Sequence, residues 1–228
     1  MKKLFDLYAW LALFVLFPIA VWAWWQHYDG NLHLTAVALA VPVIHAYVVP
    51  AIGVNVLGVW QFKSGSGVGR IRPHHGFVFG SATALLTLAA VGPPTPAASS
   101  GAIVWTALSC GFVLLCANWI YDAMAIRAGY LQVFNQPWAD GSGPWAITAD
   151  YAVWFFGLFG LLYGTALKMA ESVLLVSPAW PQTIAIILFA VLATSVLPAL
   201  GYCTTTLLRH GHAGLRPCAP RCLEGADR

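Results

Sequence analysis

The run Asn118-Trp119-Ile120-Tyr121-Asp122-Ala123-Met124-Ala125-Ile126-Arg127 places acid/base residue types inside a strongly apolar segment. Asn118 and Asp122 are four apart and share one helical face. Arg127, five residues beyond Asp122, falls off that face. Asp122 reads as the one acid inside a membrane span. An ionised carboxylate there costs on the order of 2.5 to 3.5 kcal/mol on insertion scales, so it has to be paired, hydrated through a cavity, or protonated. A carboxyl group so held suits proton transfer or a proton-coupled binding site. The structural alternative is a bond to a neighbouring helix through Asn55, Tyr163 or Thr205. Tyr121 and Trp119, beside Asp122, are candidate substrate-binding residues.

His74 and His75 open the next candidate helix upstream, at the membrane level assigned to Asp122. An imidazole titrates near neutrality, so either can complement Asp122 as base or acid. His45 sits in mid-span between Pro42 and Pro50, where a kinked helix frees carbonyls that a neutral ring can satisfy. Its alternative role is a substrate contact or proton relay. Arg70 and Arg72, in the Gly- and Ser-rich stretch from Lys63 to Gly76, can hold an anionic head group, although the same bases also set topology. That stretch lacks the Lys-Ser/Thr ending of a nucleotide loop. The Gly-, Pro- and Trp-rich loop from Tyr130 to Asp150 is long enough to cap a bundle, with Asn135, Asp140 and Asp150 facing the mouth; a surface loop anchored by Trp138 and Trp145 is the other reading.

No metal or other cofactor is expected. The histidines at 27, 33, 45, 74, 75, 210 and 212 form no His-x-x-x-His or His-Glu-x-x-His box. His210 and His212, followed by Cys218 and Cys222, are loosely spaced for zinc or copper. Cys110, Cys116 and Cys203 read as small core residues.

The elements that must position these groups follow from composition. Of 228 residues, 60% are hydrophobic and 8% charged, against roughly 25% charged in a soluble domain. Such a chain cannot cover a water-facing globule, and its apolar runs are long enough to be solvated by lipid. The fold class is therefore all-α: a polytopic integral membrane helical bundle of about six transmembrane helices, spanning approximately 7 to 25, 34 to 60, 77 to 92, 102 to 126, 151 to 170 and 182 to 208. Residues 1–208 form one membrane domain and 209–228 a short basic tail. Continuous rather than alternating apolar runs exclude a barrel.

Lys2, Lys3, Lys63, Arg70, Arg72, Arg127, Arg209, Arg216, Arg221 and Arg228 all fall on one side, which the positive-inside rule makes cytoplasmic, with both termini inside and the chain in the cell (inner) membrane. Lys168 is the exception, and is expected beside Glu171 in the opposite interface. The first span resembles a signal peptide in its lysines and in Val21-Trp22-Ala23, but its apolar stretch is long and Trp24-Trp25 follow, so it is expected to stay uncleaved. The eleven tryptophans read as interfacial belts at the two helix-end levels. The net charge of +3 is accounted for by topology, and no nucleic-acid partner is inferred.

The expected partners are the lipid bilayer and a lipophilic small molecule; the residues do not fix an oligomeric state. The preferred function is an integral membrane enzyme acting on an isoprenoid, sterol-like or other lipid substrate at the cytoplasmic leaflet, with Asp122, Asn118, His74 and His75 as catalytic candidates. A small proton-coupled transporter or channel, or a non-catalytic assembly factor, is the alternative. The outer helix halves are almost purely apolar, which weighs against a through-path.

Overall fold

The computed structural model of the chain describes residues 2–64, 67–68 and 75–220, with side chains described within 3–63 and 76–220. It is an all-α bundle. Five helices are long and apolar enough to cross a membrane: α1 (Lys3–His27), α2 (Leu32–Val56), α4 (Ser100–Arg127), α6 (Pro144–Leu174) and α7 (Trp180–His210). A sixth apolar helix, α3 (His75–Val91), is shorter, and α5 (Gln136–Ala139) is a single turn in the loop before α6.

Local chemistry sets the helix ends. Asn31 caps α2 by accepting from the Leu34 N–H, and Ser99 caps α4 by accepting from Ala102 N–H. Pro144 opens α6 in its first turn, where no helical N–H is needed. Gly211, at φ +76°, ends α7 in the left-handed region. Three helices contain a π-helical turn: Ala12–Leu16 in α1, Ala51–Val56 in α2 directly after Pro50, and Val153–Leu158 in α6. A π turn rotates the residues after it relative to those before, and such turns collect at functional sites.

Two boundaries differ from the sequence expectation. The second span stops at Val56, because residues 60–64 are drawn into a small sheet. Strand β1 (Trp60–Ser64) pairs antiparallel with β2 (Gly67–Val68) and with β3 (Leu131–Val133), in the order β2-β1-β3. Trp60 lies opposite Val133 and Phe62 opposite Leu131. The two long loops of the termini-bearing end are thus stitched together by backbone hydrogen bonds, which composition does not reveal. The fifth span begins seven residues early, at Pro144, so Asp150, expected in the loop, lies inside a helix.

Helices α4 and α6 approach closely along Gly111, Gly157, Gly160 and Gly164. A Cβ on Gly160 would stand 2.7 Å from the Cys110 carbonyl oxygen, and one on Gly164 3.0 Å from Cys110 Cβ. Gly160-x-x-x-Gly164 is the small-residue spacing by which membrane helices gain contact without a hydrophobic drive between them. The main core lies in the half of the bundle away from the termini, around Leu34, Val41, Leu114, Phe159, Leu167 and Leu174. There Tyr163 donates to the Ala38 carbonyl.

Three expectations are corrected in that half. Trp24 is not an interfacial anchor: it is fully buried, with Nε1 donating to the Ala84 carbonyl at 3.0 Å. Lys168 and Glu171 do not sit in an open interface. They are 3% and 0% exposed and form an ion pair at 2.9 Å. The loop from α3 to α4 and Tyr28 fold over them: Lys168 Nζ donates to Pro93 O, while Glu171 accepts from Thr95 N–H at 3.0 Å and from Tyr28 O–H at 3.3 Å. Burial and the Glu171 carboxylate push the Tyr28 hydroxyl well above its ordinary pKa, so it remains a donor. Finally, Asp122 is not the single acid in a membrane helix, since Asp6 on α1 and Asp150 and Glu171 on α6 lie within such helices too.

Candidate functional site

A cavity of about 790 Å³ occupies the termini-bearing half of the bundle, between α2, α4, α6 and α7, roofed by the β1–β3 strands and the chain after α7. Its volume falls within the roughly 300 to 1,000 Å³ usual for small-molecule sites. Valines, leucines and aromatic rings make up most of its wall, among them Val49, Phe79, Phe155, Phe156 and Leu192. The π turns of α2 and α6 contribute Ile52, Gly53, Phe155 and Phe156, so both irregular turns border this space. Trp60 also lines it and sets the edge of its indole against Gly53, where a Cβ would meet Nε1 at 2.0 Å.

Two polar stations interrupt the apolar wall. At the first, Tyr151 O–H donates to Asp122 Oδ2 at 2.7 Å, joining α6 to α4. One turn before Asp122, Asn118 is buried and spends its Nδ2 donor on the Leu114 carbonyl, leaving its Oδ1 as an acceptor. Asp122 Oδ1 likewise has no partner among the described residues. The wall at this level therefore offers hydrogen-bond acceptors. Tyr121, on the neighbouring face, lines the cavity through a cluster with Phe5 and Tyr8. At the second station, buried His45 on α2 shares a hydrogen bond between its Nδ1 and Ser195 Oγ on α7 at 3.2 Å. Across Pro42 the helix around His45 remains α-helical, and the departure from regularity comes after Pro50 instead.

Asn135 reaches the mouth from the loop. It caps α5, donates through Nδ2 to Ile147 O at 2.9 Å and to Asp150 Oδ2 at 3.0 Å, and lines the cavity. Tyr202 O–H reaches the same Asp150 oxygen at 3.4 Å. The chain after α7 turns back over the mouth: Cys218 N–H donates to Phe134 O at 2.9 Å, and Leu215, Arg216 and Cys218 join the lining. Burial, with Asp150 and Asp140 nearby, pushes the Cys218 thiol above its ordinary pKa.

The candidates sort as follows. Asp122, Asn118, Tyr121, His45 and Asn135 come together around one cavity. Trp119 does not join them: it is turned to the outside, with its Nε1 donating to Trp145 O at 3.2 Å. Asp140 is exposed beyond the lining, with Oδ1 accepting from Gln136 Nε2 at 2.8 Å. Arg70, Arg72 and His74 lie outside the described residues, as does Cys222; His75 opens α3, but its side chain lies outside them as well. Asn55, Tyr163 and Thr205 are not the partners of Asp122. Asn55 is exposed, Tyr163 serves Ala38, and Thr205 Oγ1 donates to Gly201 O.

Sequence reasoning missed Tyr151, Ser195, Tyr202 and Arg216. Tyr151 was within reach, because it already opened the expected fifth span, and Gly143-Pro144 is a helix-start signal that moves the span upstream and sets Tyr151 two turns inside it. Ser195 carried no signal of its own. Among the described residues no group of three or more His, Cys, Asp or Glu side chains is arranged to hold a metal; His212 bonds Gln136 at 3.1 Å, with Cys218 Sγ 3.9 Å from its Nε2. Comparison with protein-family models, with curated proteins and with solved structures finds no match to this chain.

Proposed function

We propose that this chain is an integral membrane enzyme that takes a lipophilic molecule into the cavity between α2, α4, α6 and α7 and works on it by proton transfer through Asp122. The observation that carries this reading is the Asp122–Tyr151 pair, a carboxyl group with one oxygen held at 2.7 Å and the other without a partner among the described residues, lining a cavity whose wall is otherwise nearly apolar. Tyr151 holds the carboxyl group in place, and Asn118 supplies a second acceptor beside it. A low-polarity pocket strengthens each such interaction and keeps water away from the reacting atoms. His45, fixed by Ser195, is the polar contact at the other station. Proton removal at one atom and return at another, as in an isomerisation or cyclisation, asks for this kind of positioned carboxyl group.

By the positive-inside rule, the end that carries Lys63, Arg127, Arg209 and Arg216 is cytoplasmic, so the cavity opens toward that leaflet of the cell membrane. A transporter reading is less well supported, because beyond His45 and Ser195 the bundle is filled by the apolar core around Leu34, Leu114 and Phe159. The test compares lipid extracts of cells carrying wild type, Asp122→Asn and Tyr151→Phe, each verified as folded and inserted. A lipid species that changes with wild type and not with Asp122→Asn is expected. Identical profiles for wild type and Asp122→Asn would overturn the proposal.

A further inference from the structure

One wall of the cavity is not closed by the described residues. On α7, Leu188, Leu192, Val196 and Leu200 line it at one-turn spacing, yet Val196 remains 42% and Leu192 61% exposed. On α2, Ile52 lines the facing side and is 48% exposed. Residues that both line a cavity and stay this exposed form the rim of an opening. Every one is aliphatic and lies on a membrane-spanning helix, so the opening faces hydrocarbon rather than water. The His45–Ser195 bond ties α2 to α7 beside this opening.

The cavity is also elongated. Its α7 wall runs from Leu188 to Cys203, about 22 Å of helix. An apolar lining of that length suits a long hydrocarbon chain lying along α7. The charge lies at its mouth. Gly211 ends α7, Gly214 at φ +68° turns the chain against the Tyr202 ring, and the Cys218 bond to Phe134 holds the turn in place. This lays Arg216 on the mouth, the single Lys or Arg among the described lining residues, and it forms no ion pair among the described residues.

We infer that the occupant is a single-chain anionic amphiphile, a long-chain carboxylate, that slides in sideways from the bilayer between α2 and α7. Its head rests on Arg216 and its chain runs along α7, past Asp122. The inference rests on reading this cavity as the substrate site, and it adds the substrate class and the route of entry.

The test uses the whole protein in phosphatidylcholine nanodiscs and a palmitate bearing a diazirine in its chain. Photolysis should label peptides covering Ile52 or residues 192–203. Unlabelled palmitate should compete about tenfold better than hexadecanol, the order expected of one charge-assisted hydrogen bond. Arg216→Gln should bring the two competitors within about twofold. Val196→Trp and, from the opposite rim, Ile52→Trp should each cut labelling at least fivefold, with far-UV circular dichroism confirming that they fold. Asp122→Asn should label like wild type, so loss of turnover in that variant with retained labelling separates the chemistry from the binding. Equal competition by hexadecanol in wild type, labelling indifferent to both rim variants, or dioleoyl phosphatidate competing better than palmitate would each overturn the inference.

Discussion

Replacing Lys168 by Met tests whether the buried pair in the core half is held by charge balance. Lys168 and Glu171 are 3% and 0% exposed, so neither is screened by solvent. With the ammonium gone, Glu171 keeps two neutral donors among the described residues, the Tyr28 hydroxyl and the Thr95 amide, and Pro93 O loses the Lys168 donor. Removing one member of a buried pair costs roughly 3 to 5 kcal/mol, because a charge is left in low dielectric without its counterion. Lys168→Met combined with Glu171→Gln buries no net charge and keeps an acceptor for Tyr28 or Thr95, so its cost should fall to about 1 to 2 kcal/mol, the scale of lost neutral hydrogen bonds. The double variant should therefore be more stable than the single one. Equilibrium unfolding in mixed detergent–SDS micelles, followed by far-UV circular dichroism, measures both. A single variant costing under about 1 kcal/mol, or a double variant no more stable than the single one, would refute the reasoning that uncompensated charge dominates.

Other consequences are equally direct. Tyr151→Phe removes a 2.7 Å bond to Asp122 across α4 and α6 and should lower stability by about 1 to 3 kcal/mol, read in the same unfolding assay. Gly160→Val places side-chain atoms where a Cβ alone already meets the Cys110 carbonyl at 2.7 Å; it should cost at least about 1 to 3 kcal/mol, whereas Gly141→Val, with nothing within 4 Å, lacks that clash and should lose only what its positive φ demands. The Cys218 thiol is pushed up by burial and by Asp150 and Asp140, so less thiolate is present at any given pH. In a chain whose other cysteines are Ala, its iodoacetamide rate should rise with a midpoint above the ordinary value of about 8.5, and Asp140→Asn should move that midpoint down.

The legible part of the site followed from scarcity. With so few charges in the chain, an acid four residues from an asparagine in an apolar run stands out, and both Asp122 and Asn118 do line the cavity. His45 stood out for the same reason. What escaped was the set of partners contributed by other helices. Tyr151, Ser195 and Tyr202 are common residue types whose significance comes from the helix they face, and Arg216 looked like one more topology-setting base until the turn at Gly214 carried it to the mouth. Trp119 misled because its neighbours are pocket residues, while its own position on α4 turns it outward toward Trp145.

The sequence alone determined that the chain is a bundle of apolar helices and roughly where each lies, because lipid solvation and 1.5 Å per residue leave few alternatives. It also located the expensive polar groups, whose cost depends on depth along a helix and hence on position in the chain. Tertiary structure decided which helix faces meet. It sealed one half with Trp24, Phe159 and the Lys168–Glu171 pair, and left the other half hollow beside Asp122. Hollow and filled halves have the same apolar composition. They differ in the rotation of helices past the π turns after Pro50 and Ala152, and in loops joined by three short strands; these are contacts between segments far apart in the chain, to which periodicity within any one segment is blind.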